Sequence, residues 1–372
     1  MKPLDIVILG LSITSSWGNG HATTFRALMR ALSARGHNVL FLERDVPWYA
    51  ENRDLPNPPY GLTQLYKSVT ELKRRFARRV TNADLCIVGS YVPDGVVIGE
   101  WVMRTCQGVK AFYDIDTPIT LAKLDTGDAE YLTPPLVPCY DLYLSFTGGP
   151  VLRKIERELG SPMARALYCS FDPKVYFPER CKPRWDLGYM GTYSDDRQPS
   201  LNQLLVEPAR RAHNLRTVVA GPMYPRELSW PTNVERIEHL APAAHRSFYN
   251  SQRFTLNLTR ADMRAAGYSP SVRLFEAAAC GTPIISDYWP GLETFFELEK
   301  EILTASNADE VLRYLKDIPE KDRRAIGERA RQRVLAEHTS ERRAIELEEY
   351  VAELMQTVGA TASDAQTAGA MA

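Results

Sequence analysis

Residues 269–287, SPSVRLFEAAACGTPIISD, carry the pattern of a helix that runs into a strand. Ser269 is a favoured N-cap residue and Pro270 suits the first helical position, so we expect the helix to start there and to end at Gly281. The residues between are apolar on nearly every side, which predicts a helix buried against the following strand. This helix-strand unit is typical of an α/β domain.

The polar side chains of this stretch point to an anion site. Arg273 lies near the positive end of the helix, where a cation is disfavoured unless an anion binds. Amide groups at a helix start, together with Arg273 and the hydroxyls of Ser269 and Ser271, are typical of a phosphate site. Glu276 lies about 9 Å from the helix start, a suitable reach from a diphosphate to ribose hydroxyls. The alternative is an ordinary buried helix with an i, i+3 Arg–Glu pair.

The rest of the chain alternates apolar runs with helical patterns, which predicts mainly parallel sheets. LDIVILG (4–10) is followed by apolar residues at helical spacing, and more strands are expected up to 141–146. A polar stretch at 179–186 is typical of a linker, and a second series of strands follows it. We expect a first domain over 1–178, a second over 184–335, a C-terminal helix over 336–356 and a disordered tail over 357–372.

Composition excludes several classes of protein. Hydrophobic residues make up 44% and charged residues 24%, which is ordinary for a globular chain. Lys and Arg total 45 against 46 Asp and Glu, a net charge of −1, so no global field attracts a nucleic acid. The six cysteines form no C-x-x-C pair, and an acidic residue interrupts the apolar N-terminal run. We therefore expect a cytoplasmic protein with reduced thiols, no metal site and no resident cofactor.

The quoted stretch, continued to SPSVRLFEAAACGTPIISDYWPGLETFF and preceded by VERIEHLAPAAHRSFYNSQRFTLNLTR, resembles the donor site of glycosyltransferases with the GT-B fold. It resembles the CgeB-like branch (spore maturation protein CgeB, glycosyl transferases group 1-like). The likeness covers about 184–335, whereas in the first domain only the GNGH loop and the FDPKVYFP turn resemble the fold. It implies two Rossmann-like domains facing each other across a cleft, with C-terminal helices packing back on the first. It also implies metal-independent transfer, of the hexosyltransferase type, from a nucleotide-sugar to a glycan, lipid-linked or protein acceptor.

By matching position, the resemblance assigns the donor site. Glu276 would hold the ribose, and the diphosphate would lie against Ser269, Ser271, Arg273 and the basic residue Arg197. The remaining residues assigned to the donor site are Gly191, Tyr268 and, beside the base, Leu240 and Ala241. Tyr268 stands eight positions before Glu276, where retaining members often carry a sugar-binding Glu, so the sugar and the stereochemistry are not carried over. A UDP-sugar is favoured as the donor, with GDP- or TDP-sugars as alternatives.

Two segments of the first domain are candidates for the acceptor side and for catalysis. The loop GLSITSSWGNGH (10–21) lacks G-x-G-x-x-G, but Gly18, Gly20 and His21 resemble the loop that faces the donor phosphates or the acceptor. In YDIDTP (113–118), Asp114 and Asp116 alternate at a strand end and are expected to share a face. Asp116 is a candidate general base. For His21 and for both aspartates, a capping role without a ligand is the alternative.

The segment KSVTELKRRFARRV (67–80) predicts an amphipathic helix with a basic face. It would either rest on the inner face of an anionic membrane, grip a polyanion, or pack its apolar stripe on the core with the basic face in solvent. Two alternatives to a working glycosyltransferase follow. The first is an inactive nucleotide-binding protein, which is an alternative because Tyr268 replaces the first Glu. The second is a polynucleotide-modifying transferase, which the neutral net charge disfavours.

Overall fold

Short runs rich in Val, Ile, Leu and aromatic residues form two parallel sheets in the computed structural model of this chain. The structure describes the backbone of residues 2–128 and 130–369, and side chains as far as residue 356. Unit 1 comprises Met1–Tyr168 and Ser340–Ala372, and unit 2 comprises Cys169–Thr339. The expected α/β class with two parallel sheets is confirmed. The segment 357–372, expected to be disordered, lies outside the residues whose side chains are described.

Unit 1 contains a seven-stranded sheet in the order β3-β2-β1-β4-β5-β6-β7. Its strands are β1 Asp5–Gly10, β2 Asn38–Arg44, β3 Leu62–Tyr66, β4 Leu85–Gly89, β5 Val109–Asp114, β6 Leu142–Ser145 and β7 Ala164–Ala166. Its first six helices are α1 His21–Ala34, α2 Pro47–Ala50, α3 Val69–Thr81, α4 Gly95–Thr105, α5 Thr117–Thr126 and α6 Pro150–Arg157, with a 3₁₀ helix at Pro134–Cys139. The strand order reverses between β1 and β4, so loops after these strands border the crevice where such sheets bind ligands.

Unit 2 contains a six-stranded sheet in the order β10-β9-β8-β11-β12-β13. Its strands are β8 Trp185–Met190, β9 Thr217–Ala220, β10 Val234–Ile237, β11 Gln252–Asn257, β12 Ile284–Ser286 and β13 Leu303–Thr304. Its helices are α7 Gln198–Leu201, α8 Glu207–Arg211, α9 Pro242–Asn250, α10 Ala261–Ala266, α11 Val272–Ala279, α12 Ala308–Asp317 and α13 Glu320–Glu337, with a π-helix at Asn202–Val206 and a 3₁₀ helix at Leu292–Thr294. The order reverses between β8 and β11, which places a second crevice there.

Two predictions from the sequence place the end of an element wrongly. Helix α11 begins at Val272, two residues later than expected, because Ser271 is extended (φ −82°, ψ 148°) and serves as the N-cap. Strand β5 ends at Asp114, so Asp116 lies beyond the strand as the N-cap of α5. The two aspartates therefore do not share a strand face.

The last helix, α14 Ser340–Gly369, belongs to unit 1 and completes its core. Ala344, Leu347 and Val351 are buried there with residues of β1, β2 and α1. By contrast, α13 packs on α11 in unit 2. Of the C-terminal helices expected to pack on the first domain, α14 lies in unit 1 and α13 lies in unit 2.

The amphipathic helix α3 places its apolar stripe in the core of unit 1. Leu72, Phe76 and Val80 are buried. The basic side chains of Arg74, Arg78 and Arg79 are exposed on the other side, so only this basic face is available to a partner. Within the described residues, no helix combines the length and apolar character needed to cross a bilayer.

A charged cluster docks α14. Arg35 donates to Glu348 through Nη2 (2.9 Å), and Nε2 of His37 lies 2.9 Å from the same carboxylate. Nδ1 of His37 accepts the amide N–H of Leu4, so Nε2 carries the hydrogen that Glu348 accepts. The hydrogen bond from Arg35 lowers the pKa of Glu348 to about 2.

We expect Glu348→Gln to lower the free energy of unfolding by about 2 kcal/mol at pH 7. Because the folded pKa lies below the ordinary value of 4.5, this contribution is present above pH 4.5 and is lost as the pH falls toward 2. Urea unfolding of both proteins across this range measures it. Glu341→Gln is the matched control, since Glu341 also faces Arg35 but is exposed, and it should cost less than about 0.5 kcal/mol. Equal losses for the two variants would contradict the docking role of Glu348.

Candidate functional site

Arg273 joins the ends of the two strands between which the sheet of unit 2 reverses. Its Nε donates to the carbonyl of Met190 at the end of β8 (2.6 Å), and its Nη1 donates to Oδ1 of Asn257 at the end of β11 (2.9 Å). The hydroxyl of Ser271 donates to the same Asn257 oxygen (2.8 Å). A Cβ at Gly191 would lie 2.5 Å from the Tyr189 hydroxyl and 3.1 Å from Nη2 of Arg273, so the glycine makes room for both groups.

Several positively charged groups lie near the start of α11. No side chain caps the first turn of α11, whose amide groups give the helix start a partial positive charge. Arg197 donates to the carbonyl of Thr192 (2.7 Å), while its Nε is buried without a partner among the described residues. Tyr224 donates its hydroxyl to the carbonyl of Gly191 (3.2 Å), next to Thr192, and the guanidinium of Arg236 lies over its ring, so a third cation is close to this point. Such an arrangement favours an anion.

Glu276 is buried one turn further along α11 and is held by phenols. Tyr249 donates its hydroxyl to Oε2 of Glu276 (3.0 Å). Burial, followed by the negative charge of Glu276, raises the pKa of both Tyr249 and Tyr176. Both phenols therefore keep their protons at neutral pH, and the carboxylate is the acceptor.

His245, which the sequence analysis missed, lies between Glu276 and the turn before α9. Its Nδ1 lies 4.0 Å from Glu276 Oε2, and its Nε2 lies 3.2 Å from the carbonyl of Leu240. Because a carbonyl only accepts, Nε2 carries the hydrogen. Ala241 follows as the exposed N-cap of α9. The structure thus brings together Glu276 and Leu240, which are distant in sequence. The feature of the sequence that could have indicated this proximity is His245 itself, in the first turn of the helix that begins at Pro242.

The loop that precedes α11 is fixed in an unusual conformation. Tyr268 has φ 48°, in the left-handed region that few residues other than glycine adopt, and its amide donates to the carbonyl of Pro290 (2.7 Å). A side chain at Gly291 would come within 2.5 Å of the Tyr268 ring. The hydroxyl of Ser269 lies 3.1 Å from the sulfur of Met263. Backbone strain of this kind is typical of functional sites.

Asp287, at the end of β12, is a second residue missed from the sequence. Its carboxylate accepts from the amide (3.1 Å) and the hydroxyl (3.0 Å) of Thr259, and burial raises its pKa to about 6. Hydrogen bonds through Ser286 link it to Asn257. Beside it lies a cavity of about 410 Å³, large enough for a monosaccharide, with polar side chains that include Arg264, Tyr288 and Glu310. The feature of the sequence that could have indicated Asp287 is the Ser-Asp pair at the end of the strand pattern TPIISD.

In unit 1, His21 is the first residue of α1 and is buried. Burial lowers its pKa to about 4, so the ring is neutral at pH 7. Its Nδ1 has no hydrogen-bond partner among the described residues, and the ring packs edge-on against Tyr91. Gly18, with φ 67°, and Gly20 lie just before it in an exposed loop, and a Cβ at either would meet nothing within 4 Å.

Asp114 is sealed inside unit 1, which does not suit the expected direct contact with an acceptor. Its carboxylate accepts from the hydroxyls of Tyr143 (2.5 Å) and Thr120 (2.7 Å) and from the amide of Asp116 (3.3 Å). Burial raises its pKa to about 6. Asp116 is half-buried at the start of α5. Asp114 therefore positions the loop that carries Asp116.

Comparison with known proteins gives a family match over part of the chain and a fold for the whole. Residues 197–349 match a family described as glycosyl transferase-like. A search of curated proteins finds no match.

Solved structures similar to this chain include sucrose-phosphate synthase from Thermosynechococcus elongatus, with 15% identity, TM-score 0.66, and 95% of this chain and 99% of that chain covered. HepE from Anabaena, in complex with UDP and glucose, has 10% identity and TM-score 0.71 over 94% of this chain and 100% of that chain. An alpha-glucosyltransferase in complex with UDP-glucose and DNA has 10% identity and TM-score 0.68, with 93% and 98% covered. These likenesses show that the chain has the GT-B fold.

The stability of wild type relative to Asp114→Asn should depend on pH. Because the folded pKa of Asp114 is raised to about 6, the folded protein holds a proton that the unfolded chain releases near pH 4. Wild type should therefore lose roughly 2–3 kcal/mol relative to the variant as the pH rises from 4 to 6.5. Urea unfolding at several pH values measures the difference. Asp94→Asn, at an exposed position of the same unit, controls for the loss of one charge. A difference between wild type and D114N that stays constant over this range contradicts the assignment.

Proposed function

We propose that this chain is a glycosyltransferase whose nucleotide-sugar donor binds in unit 2, at the carboxyl ends of β8 and β11. One observation carries the proposal: the guanidinium of Arg273, the uncapped start of α11 and the buried carboxylate of Glu276 lie in sequence along one helix at this crevice. A diphosphate requires the first two groups and ribose hydroxyls require the third. The family match over 197–349 supports the same conclusion.

The donor phosphates are assigned to Arg273, Arg197 and the first turn of α11. As the bond to the sugar breaks, negative charge develops on the leaving diphosphate, and preorganised cations stabilise it. We assign this task to protein groups, without a metal. Gly191 leaves space at the end of β8, and Ser271 holds Asn257 and thereby the geometry of Arg273.

The rest of the donor extends on both sides of the phosphates. Glu276 would accept the ribose hydroxyls, with the base at Leu240 and Ala241 beside His245. UDP is the first choice, because similar structures are described as complexes with UDP or UDP-glucose, and GDP or TDP are the alternatives. The cavity beside Asp287 would take a hexose.

Unit 1 would supply the acceptor side. Gly18 and Gly20 form an open loop before His21, whose neutral ring is able to accept a proton. Asp116, at the start of α5, is the other candidate base. We also place the chain in the CgeB-like branch, on the segments quoted above, and in the cytoplasm, on its six free cysteines.

A polynucleotide acceptor is the second candidate. It is favoured by the exposed arginines of α3 and by the fold likeness to an alpha-glucosyltransferase whose complex contains DNA. Fluorescence anisotropy with a labelled DNA duplex tests it. Binding whose affinity falls steeply between about 50 and 200 mM salt, and which the triple variant R74E/R78E/R79E abolishes, would support this candidate.

A membrane-bound acceptor at the same basic face is tested by sedimentation with anionic vesicles.

The donor site is tested by thermal shift with UDP, GDP, TDP and ADP. A ligand at about one hundred times its Kd should stabilise wild type by roughly 2.7 kcal/mol. We expect Glu276→Gln to reduce the shift by at least half, because the ribose loses a charged acceptor. Glu43→Gln is the control, since Glu43 is equally buried in unit 1, where it accepts from Ile13 and Thr14.

Equal shifts for wild type and Glu276→Gln would remove the ribose assignment, and no shift with any nucleotide would remove the donor site. Hydrolysis of the donor without an acceptor separates an enzyme from an inactive nucleotide-binding protein. The variants His21→Ala and Asp116→Asn should bind the nucleotide like wild type. The one that carries the base should lose most of the transfer rate, by a factor of about 10²–10⁴.

A further inference from the structure

Two of the six tryptophans are about half exposed. Trp17 is 50% exposed and Trp48 is 53% exposed, whereas the other four are buried or half-buried. Trp17 lies in the loop between β1 and α1, and Trp48 lies in α2, directly after β2. Both therefore lie at the carboxyl edge of the sheet of unit 1, the edge at which open α/β sheets bind ligands. Aromatic side chains exposed at this edge are available to contact a ligand.

Hydrogen bonds hold the two segments that carry the indoles together. The hydroxyl of Ser15 donates to the carbonyl of Asn52 (2.7 Å) and accepts from the amide of Trp17 (3.3 Å). The Asn52 amide group in turn donates to the carbonyl of Trp48 (2.8 Å). The backbones of both tryptophans are thus attached to the same bonded core, so little backbone entropy is lost when a ligand contacts the indoles.

The charges around the two indoles disfavour an anionic ligand. Arg26 is paired with Asp54 (2.8 Å) and Arg53 with Asp45 (2.5 Å). Glu51, one turn after Trp48, is exposed, and no ion pair to it is found among the described residues. Three carboxylates against two guanidinium groups leave a local charge of 2 − 3 = −1. Nucleobases also stack on tryptophan, but their binding sites require a positive groove, which is absent from this described surface.

We infer that Trp17 and Trp48 form a platform that binds a neutral saccharide, the acceptor of the transfer reaction. This inference rests on the proposed function and names the substrate class for its acceptor side. Pyranose rings have an apolar face of C–H groups that packs on an indole and a rim of hydroxyls that donate to a carboxylate such as Glu51. Only four positions after Trp17, His21 has its buried, unpartnered Nδ1.

The indole N–H resonances of ¹⁵N-labelled protein test the platform without any donor. The probes are maltotriose, cellotriose, chitotriose and mannotriose, with oligothymidylate as a charged stacking ligand. We expect at least one trisaccharide to shift the resonances of Trp17 and Trp48 and to leave those of the buried Trp101, Trp185 and Trp289 in place. Either Trp17→Ala or Trp48→Ala should weaken this binding at least tenfold.

Leu62→Ala is the matched control, because Leu62 is also 50% exposed in unit 1 but lacks an aromatic ring, and it should leave saccharide affinity unchanged. No response to any trisaccharide, or a response to oligothymidylate instead, would overturn the inference. The thermal shift with UDP is measured on the same variants. A normal UDP shift with no saccharide binding refutes the platform alone, whereas loss of the UDP shift in wild type refutes the proposed donor site.

Discussion

The bond between Arg273 and the ends of two strands is the constraint on which the site in unit 2 depends. A parallel sheet that reverses its order has a crevice beyond the carboxyl ends of the two strands at the reversal. Arg273 spans these two ends by donating to Met190 and Asn257, so the residue that would bind phosphate also holds the crevice in shape. The remaining donors of Arg273 and the start of α11 then lie close together, and the two strands fix their positions.

Buried carboxylates occur in both units, and the groups that donate hydrogen bonds to them differ in charge. Asp114 and Asp287 accept hydrogen bonds from hydroxyls and amides, and burial raises the pKa of each to about 6. Glu348, bonded to an arginine, has its pKa lowered instead. The first two are poised to change charge in mildly acidic solution, whereas the third is a fixed anion that serves only the docking of α14. At these three positions, the pKa is raised where the donors are neutral and lowered where the donor is a cation.

Much of this arrangement was predictable from the sequence, because it is set by local patterns. Alternating apolar runs gave the two sheets, and the Ser-Pro-Ser start with Arg273 and Glu276 gave the helix at the crevice. The exact start of α11 was not predictable, because Ser269 and Ser271 are equally good N-caps and only the extended backbone at Ser271 decides between them. His245 and Asp287 were missed for another reason: their partners, Glu276 and Thr259, are 31 and 28 positions away, and such pairs are fixed by strand order alone. Asp114 was misplaced because its sealing depends on Tyr143, one strand further along.

The place of α14 in unit 1 has a consequence for how the protein is made. Ala344, Leu347 and Val351 pack in the core with α1, which is synthesised more than three hundred residues earlier. Until the ribosome has released the last part of the chain, α1 has no cover on that side, and the nascent first unit exposes an apolar groove to the cell. A premature stop after unit 2 would leave that groove open permanently, which makes such a fragment a candidate for chaperone capture and degradation.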